Sequence, residues 1–236
     1  MNDDCKRMKN ISRLLSLLLI AGATAACDAG TGVQIPEGGA KLRIVNASPD
    51  AQTLQVKVGS RSFTTAAFPA STSYADAPTG VRQLQVSTSL SSAPLLTSTV
   101  GLQVDSRYTF VIMDRIQSLQ GFLLTDDPGK AANGAARLRF VNAAQPAGSI
   151  DLFLTAPNAD LQTATPSLTN LAVRQGSAYL DAAAGTYRLR ATRSGTRTVI
   201  LDVQTFSISA GQIRTALVIE AASGGAPYSV LLLQDQ

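Results

Sequence analysis

The chain contains no histidine and no tryptophan, and its only two cysteines, Cys5 and Cys27, both lie near the N-terminus. Without imidazole, Ser-His-Asp and Cys-His catalysis are excluded, as are imidazole metal sites; the bulk of the chain also lacks thiolate ligands. No disulfide can staple the remainder, which must hold itself by burial of apolar surface. Charged residues are scarce, at 15% against a usual quarter, whereas hydrophobic content, at 45%, is that of a globular protein. The formal net charge of +4 is partly the leader's: removing residues 1–26 leaves 16 basic and 14 acidic residues. No basic stripe with interleaved aromatics is present, so nucleic-acid binding is not implied. Chemistry would have to come from Asp, Glu, Lys, Arg, Tyr, Ser or Thr. No catalytic constellation stands out, and no cofactor or metal set is expected.

What is present begins with an export pattern. Lys6, Arg7, Lys9 and Arg13 precede the apolar run Leu14 to Ile20, and small residues follow to Ala26. A positive region, a short apolar segment and small residues form a secretory signal peptide over residues 1–26. The run is about half the roughly 20 residues needed to span a bilayer. Asp3 and Asp4 sit oddly before it, so Met8 is an alternative start to Met1. Thr24-Ala25-Ala26-Cys27 resembles a bacterial lipobox, in which Cys27 is acylated and anchors the protein to a membrane. The lipobox position usually held by Leu carries Thr24, and the alternative is an ordinary signal with an incidental cysteine. Residues 27–39 are glycine-rich and lack periodicity, as expected of a flexible tether.

The stretch KLRIVNASPDAQTLQVKV, Lys41 to Val58, recurs as RLRFVNAAQPAGSIDLFL, Arg137 to Leu154. Each copy reads as an alternating strand, a Pro-containing turn and a second strand. Further matches follow in the same order. Tyr74-Ala75-Asp76 before Gly80 corresponds to Tyr179-Leu180-Asp181 before Gly185, and Leu123 to Asp126 corresponds to Leu232 to Asp235. The reading is therefore a duplication: one repeat over 40–127, a linker over 128–134 and a second repeat over 135–236. About seven short strands per repeat, punctuated by Gly, Pro and Asp and without helical stretches, predict two all-β, immunoglobulin-like antiparallel β-sandwich domains. Leu42, Ile44 and Asn46 alternate with Lys41, Arg43 and Val45, which predicts a half-buried strand.

VNASPDAQTLQVKVGS, DSRYTFVIM and GFLLTDD together resemble the DUF4397 family, a bacterial extracellular domain of unknown function. Its signature His-Ala-Ser-Pro-Asp-Ala has Asn46 in place of the His here, and the second copy carries Ala144-Gln145-Pro146-Ala147 where Ser-Pro-Asp-Ala would stand. The resemblance implies a secreted or surface β-sandwich, often in tandem, and implies no activity, ligand or catalytic residue. Asp105 to Phe110 also resembles a tyrosine corner, which places Tyr108 at a sandwich edge; Arg214 occupies that position in the second copy.

Candidate sites are few. Asp50, Asp126 and Asp127 are the carboxylates best placed for a calcium ion, although the Asp-x-Asp-x-Asp run of a calcium loop is missing. Asp76 and Asp181 are equivalent in the two copies and each precedes a turn, where Asp bonds the backbone. Arg188, Arg190, Arg193 and Arg197 fall on one predicted hairpin, as a possible binding patch for phosphate, acidic glycan or lipid headgroups, or as a solvated strand face. Ala156 to Thr169 reads as an exposed loop lengthening a connection in the second copy. The expectation is a cell-envelope lipoprotein acting as a non-catalytic binding, adhesion or scaffolding module. Its partners would be a membrane, through Cys27, and an envelope protein or glycan. The alternatives are a carboxylate-dependent hydrolase or enzyme accessory domain, and a calcium-stiffened spacer.

Overall fold

The computed structural model describes residues 39–126 and 129–235. The signal peptide, Cys27, nearly all of the tether and Asp127 lie outside the described residues. Among the described residues the fold is all-β: the helical content is two single 3₁₀ turns, Ile116–Ser118 and Gln145–Ala147. No helix among them is long and apolar enough to cross a membrane.

The first half contains β1 (Ala40–Asn46), β2 (Thr53–Val58), β3 (Arg61–Ala67), β4 (Ala70–Ser71), β5 (Ala75–Ala77), β6 (Gly80–Thr88), β7 (Ser91–Leu102), β8 (Arg107–Met113) and β9 (Gln120–Thr125). One sheet runs β4-β1-β8-β9, with β5 also on β1, and the other runs β3-β2-β6-β7. The second half contains β10 (Ala135–Asn142), β11 (Ile150–Thr155), β12 (Leu168–Leu171), β13 (Leu180–Ala183), β14 (Gly185–Arg193), β15 (Val199–Ile208), β16 (Ile213–Ile219) and β17 (Ser229–Gln234). Its sheets run β13-β10-β16-β17 and β12-β11-β14-β15. Pairing is antiparallel except for β1 with β8 and β10 with β16, which are parallel in the same relative register.

Each half closes its own core between its two sheets. Leu42, Ile44, Leu54, Val56, Leu84, Val86, Phe110 and Ile112 fill the first. Leu138, Phe140, Ile150, Leu152, Leu189, Leu201, Phe206 and Val218 fill the second. These are the alternate residues of facing strands, as two stacked sheets require. Tyr108 forms the expected corner, its hydroxyl accepting a hydrogen bond from the Gln103 amide at 3.0 Å.

The reading of β1 as half-buried is corrected. From Leu42 to Asn46 every residue is buried. The reason is a third core that joins the halves. Val45, Val111 and Met113 from the first half pack with Val141, Leu217, Ile219 and Leu233 from the second. Alternation along β1 sends Leu42 and Ile44 inward and Val45 to this seam; β10 does the same with Phe140 and Val141. Strands covered on both faces lose the apolar-polar alternation and become apolar runs, here Val111-Ile112-Met113 and Leu217-Val218-Ile219.

Candidate functional site

Among the described residues, the seam carries the densest network of buried charged side chains. Arg43 on β1 donates from Nε to Thr109 Oγ1 at 2.7 Å, to the Gln234 carbonyl at 2.7 Å, and to the Asp235 carboxylate. Arg139 on β10 repeats this: Nε to Thr215 Oγ1 at 3.0 Å, Nη1 to the Thr125 carbonyl at 3.0 Å, and Nη2 to the Asp126 carboxylate. Each arginine thus reaches across to the carboxylate that ends the other half's last strand. The carboxylates are completed from their own side. Asp126 accepts from Tyr74 at 2.8 Å and Thr109 at 2.5 Å; Asp235 accepts from Tyr179 at 2.9 Å and Thr215 at 2.6 Å. The guanidinium of Arg43 lies 4.6 Å from the Tyr74 ring centre, and that of Arg139 lies 4.7 Å from the Tyr179 ring centre. Burial pushes both tyrosine hydroxyls well above their usual range, against the pull of the arginines and with the help of the carboxylates.

This arrangement consumes the chemistry it contains. Both oxygens of Asp126 are engaged by Arg139, Thr109 and Tyr74, so this carboxylate is a structural anion rather than part of a calcium site. Asp50 accepts from the Ile116 amide at 2.8 Å and holds the chain before β9. Asp76 pairs with Lys41 at 2.7 Å and Asp181 with Arg137 at 3.1 Å, both across strand pairs. Among the described residues no group of three or more Cys, Asp or Glu is placed to hold a metal ion.

Further along the seam the situation changes. Asp114 directly follows β8 and Glu220 directly follows β16, so the two are equivalent positions of the halves. They line one cleft of about 540 Å³ with Arg115, Gln120, Gln145 and Arg174. Glu220 is buried and accepts one hydrogen bond, from the Gly225 amide at 2.6 Å. The Asp114 carboxylate accepts none from the described residues. Burial and the neighbouring charge of Glu220 raise its pKa, against the opposing charge of Arg174. Arg174 donates to Gln120 at 3.1 Å, and Arg115 donates to the Ser223 carbonyl at 2.8 Å. Arg115 lies so close to Gly224, itself at φ +82°, that a Cβ there would fall 2.2 Å from Nη2. Asp114 and Arg174 both adopt left-handed backbone conformations, at φ 65° and 63°.

The arginine patch is engaged within the fold. Arg188 pairs with Asp202 through two hydrogen bonds, at 2.8 and 2.5 Å. Arg190 is buried and donates at 3.0 Å to Thr155 and to the Ala159 carbonyl. Arg193 donates to the Ala147 carbonyl at 3.4 Å, and Arg197 lies 5.0 Å from the Phe153 ring centre. Four free cations on one face are therefore not found. Arg190 instead pins the loop over 156–167, whose Leu161 is also buried; residues 168 and 169, read as loop from the sequence, begin β12. The sequence reading missed Asp151, which accepts from the Asn170 and Gly195 amides and the Ser194 hydroxyl at 2.7, 2.8 and 3.0 Å. Burial would raise its pKa, but these bonds and the charge of Arg197 hold it below the usual range. The acid on a core strand facing a Ser-Gly turn was the available signal.

Residues 40–153 match the model of a domain of unknown function, DUF4397. These residues belong to the DUF4397 family. The match runs from β1 into β11, and so takes in both sheets of the first half and reaches across the seam. No curated protein matches the chain. The DUF4397 signature region supplies Asn46, Ser48 and Asp50. These residues hold the turn after β1 through hydrogen bonds of Asn46 to the Ala51 and Ala66 carbonyls, at 2.7 and 3.2 Å, and of the Ser48 amide to Asn46, at 3.0 Å. In this chain the signature therefore carries a structural role.

Proposed function

We propose that this DUF4397 protein is an exported, lipid-anchored component of a bacterial cell envelope, built by duplication of one β-sandwich, that acts as a non-catalytic module binding an envelope protein or glycan. The observation that supports this most is the reciprocal exchange at the seam. The most buried ionisable side chains are tied up in joining the halves, which suits a rigid body that presents a surface better than a reactive site. The export reading rests on the leader and Cys27. Metabolic labelling with an alkyne fatty acid should mark the wild-type protein in its host and leave Cys27→Ser unmarked; an unlabelled wild type would remove the anchor. For binding, the purified mature protein should retain defined glycans or envelope proteins on an array at micromolar concentration. A blank array would count against the module.

A hydrolase is the second reading, and one observation favours it. Asp114 and Glu220 line one cleft, and a carboxyl of raised pKa beside a second carboxylate is the pattern of a general acid and its partner. Turnover of a chromogenic glycoside panel, lost in Glu220→Gln, would replace the binding reading with this one.

A further inference from the structure

The two ends of the seam solve the same electrostatic problem differently. Beside Thr109 and Thr215, each carboxylate is met by an arginine and two hydroxyls. At Asp114 and Glu220, two carboxylates face one cleft with no guanidinium hydrogen-bonded to either among the described residues. The two arginines that line the same cleft are held to Gln120 and to the Ser223 carbonyl. Each guanidinium has five donors, so these contacts leave donors on both. The cleft therefore presents two carboxylates that no guanidinium hydrogen-bonds, together with Arg174 and with Arg115, whose Nη1 also lies 3.9 Å from Asp50.

We propose that this cleft binds an α-amino acid group, a free ammonium and a free carboxylate on one carbon, with Asp114 and Glu220 taking the ammonium and Arg115 and Arg174 the carboxylate. The proposal rests on the reading of the protein as a binding module and gives that module a ligand class. A cation entering between Asp114 and Glu220 relieves their repulsion, and a carboxylate is the group that planar guanidiniums recognise best. The left-handed backbone at Asp114 and Arg174 adds to the argument. Both residues are held in sparsely populated conformations and both line the same cleft.

A carboxylate left unpaired for a ligand carries a signature that structural ion pairs do not. Asp114 has a raised pKa, so its ionised form opposes folding at neutral pH, and its contribution improves as pH falls and the carboxyl takes up a proton. Glu220 and Arg174 are the charged groups that act on it. Asp114→Asn should therefore raise the melting temperature at pH 7, with the gain shrinking toward pH 4. A structural carboxylate would give a loss.

The test is titration of the mature protein with alanine, propionate and ethylamine, followed by calorimetry and by amide NMR shifts. Alanine should bind, and each analogue lacking one charge should bind at least about tenfold more weakly, the size of one lost charge-assisted contact. Asp114→Asn and the exposed Arg174→Gln should each weaken alanine about tenfold or more while remaining folded. An alanyl dipeptide separates the sources: equal or tighter binding assigns the site to a peptide, weaker binding to a free amino acid. No alanine binding up to 10 mM, or a lower melting temperature for Asp114→Asn, overturns the proposal. If wild type and Asp114→Asn hold the same array partner equally while alanine fails, the module stands and the cleft assignment falls.

Discussion

Asn46 and Asn142 end the two seam-forming strands, fully buried, and each staples a turn. Asn142 donates to the Gly148 and Leu171 carbonyls at 2.8 and 3.1 Å and accepts from the Ala144 amide at 3.2 Å, repeating the bonds of Asn46. Asn46→Ala leaves two carbonyls and an amide without their partner, at a cost of about 1–3 kcal/mol. Asn46→Asp should cost more, because it replaces the donor amide with a carboxylate oxygen that faces the same carbonyls and adds a buried negative charge. Urea unfolding of both variants checks the order; an aspartate variant as stable as the alanine one would refute the staple. The Val-Asn-Ala repeat was legible in the sequence as a motif. Its role was not, because the partners Ala66 and Leu171 lie 20 and 29 residues away. The same limit misled the reading of Arg188 to Arg197. Alternation placed the arginines on a hairpin, but Asp202, Thr155 and Ala159 became their partners only through strand pairing and loop docking.

At the scale of elements, strand pairing in the second half follows that of the first, and the positions that break the pattern are informative. Gly121 on β9 stands opposite Ile112, and a Cβ there would lie 2.4 Å from Phe110 Cζ and 2.9 Å from Leu96 Cδ2. Phe110 is buried and cannot swing away, so Gly121→Ala should destabilise by about 1–3 kcal/mol, the usual cost of overpacking. A melting temperature unchanged from wild type would show that the aromatic ring yields. β7 is another such position. It forms an edge of its sheet, is 12 residues long, and carries no charge. Pro94 within it blunts the edge, as proline does where a free ladder must not recruit another chain. Strand existence and turns were readable from alternation and from Gly, Pro and Asp punctuation. The two-sided burial of β1, β8, β10 and β16 was visible only as short apolar runs, which half-buried alternation masks over part of each strand.

At the scale of the molecule, apolar burial and ion pairing at the seam have separable roles. Each large aliphatic side chain there contributes roughly 1.5–3 kcal/mol by leaving water, so the third core supplies the affinity between halves. The buried Arg43–Asp235 and Arg139–Asp126 pairs add little net energy, because desolvation offsets their attraction, but removing one partner strands a buried charge. They therefore fix how the sheets register. Asp235→Ala and Arg43→Ala should each cost about 3–5 kcal/mol. The double variant should cost clearly less than their sum, with a coupling of about 0.5–3 kcal/mol. Arg43 also lies 4.0 Å from Asp126, so the two pairs form one network, and changes at Asp126 and Asp235 should couple as well. Wild type should unfold in a single transition, since both halves share a core. Replacing Asp126 and Asp235 together should separate two transitions in calorimetry, one for each sandwich. A single transition in that variant, or additive costs in the cycle, would mean that the third core alone sets the registry and that the charges are incidental to it.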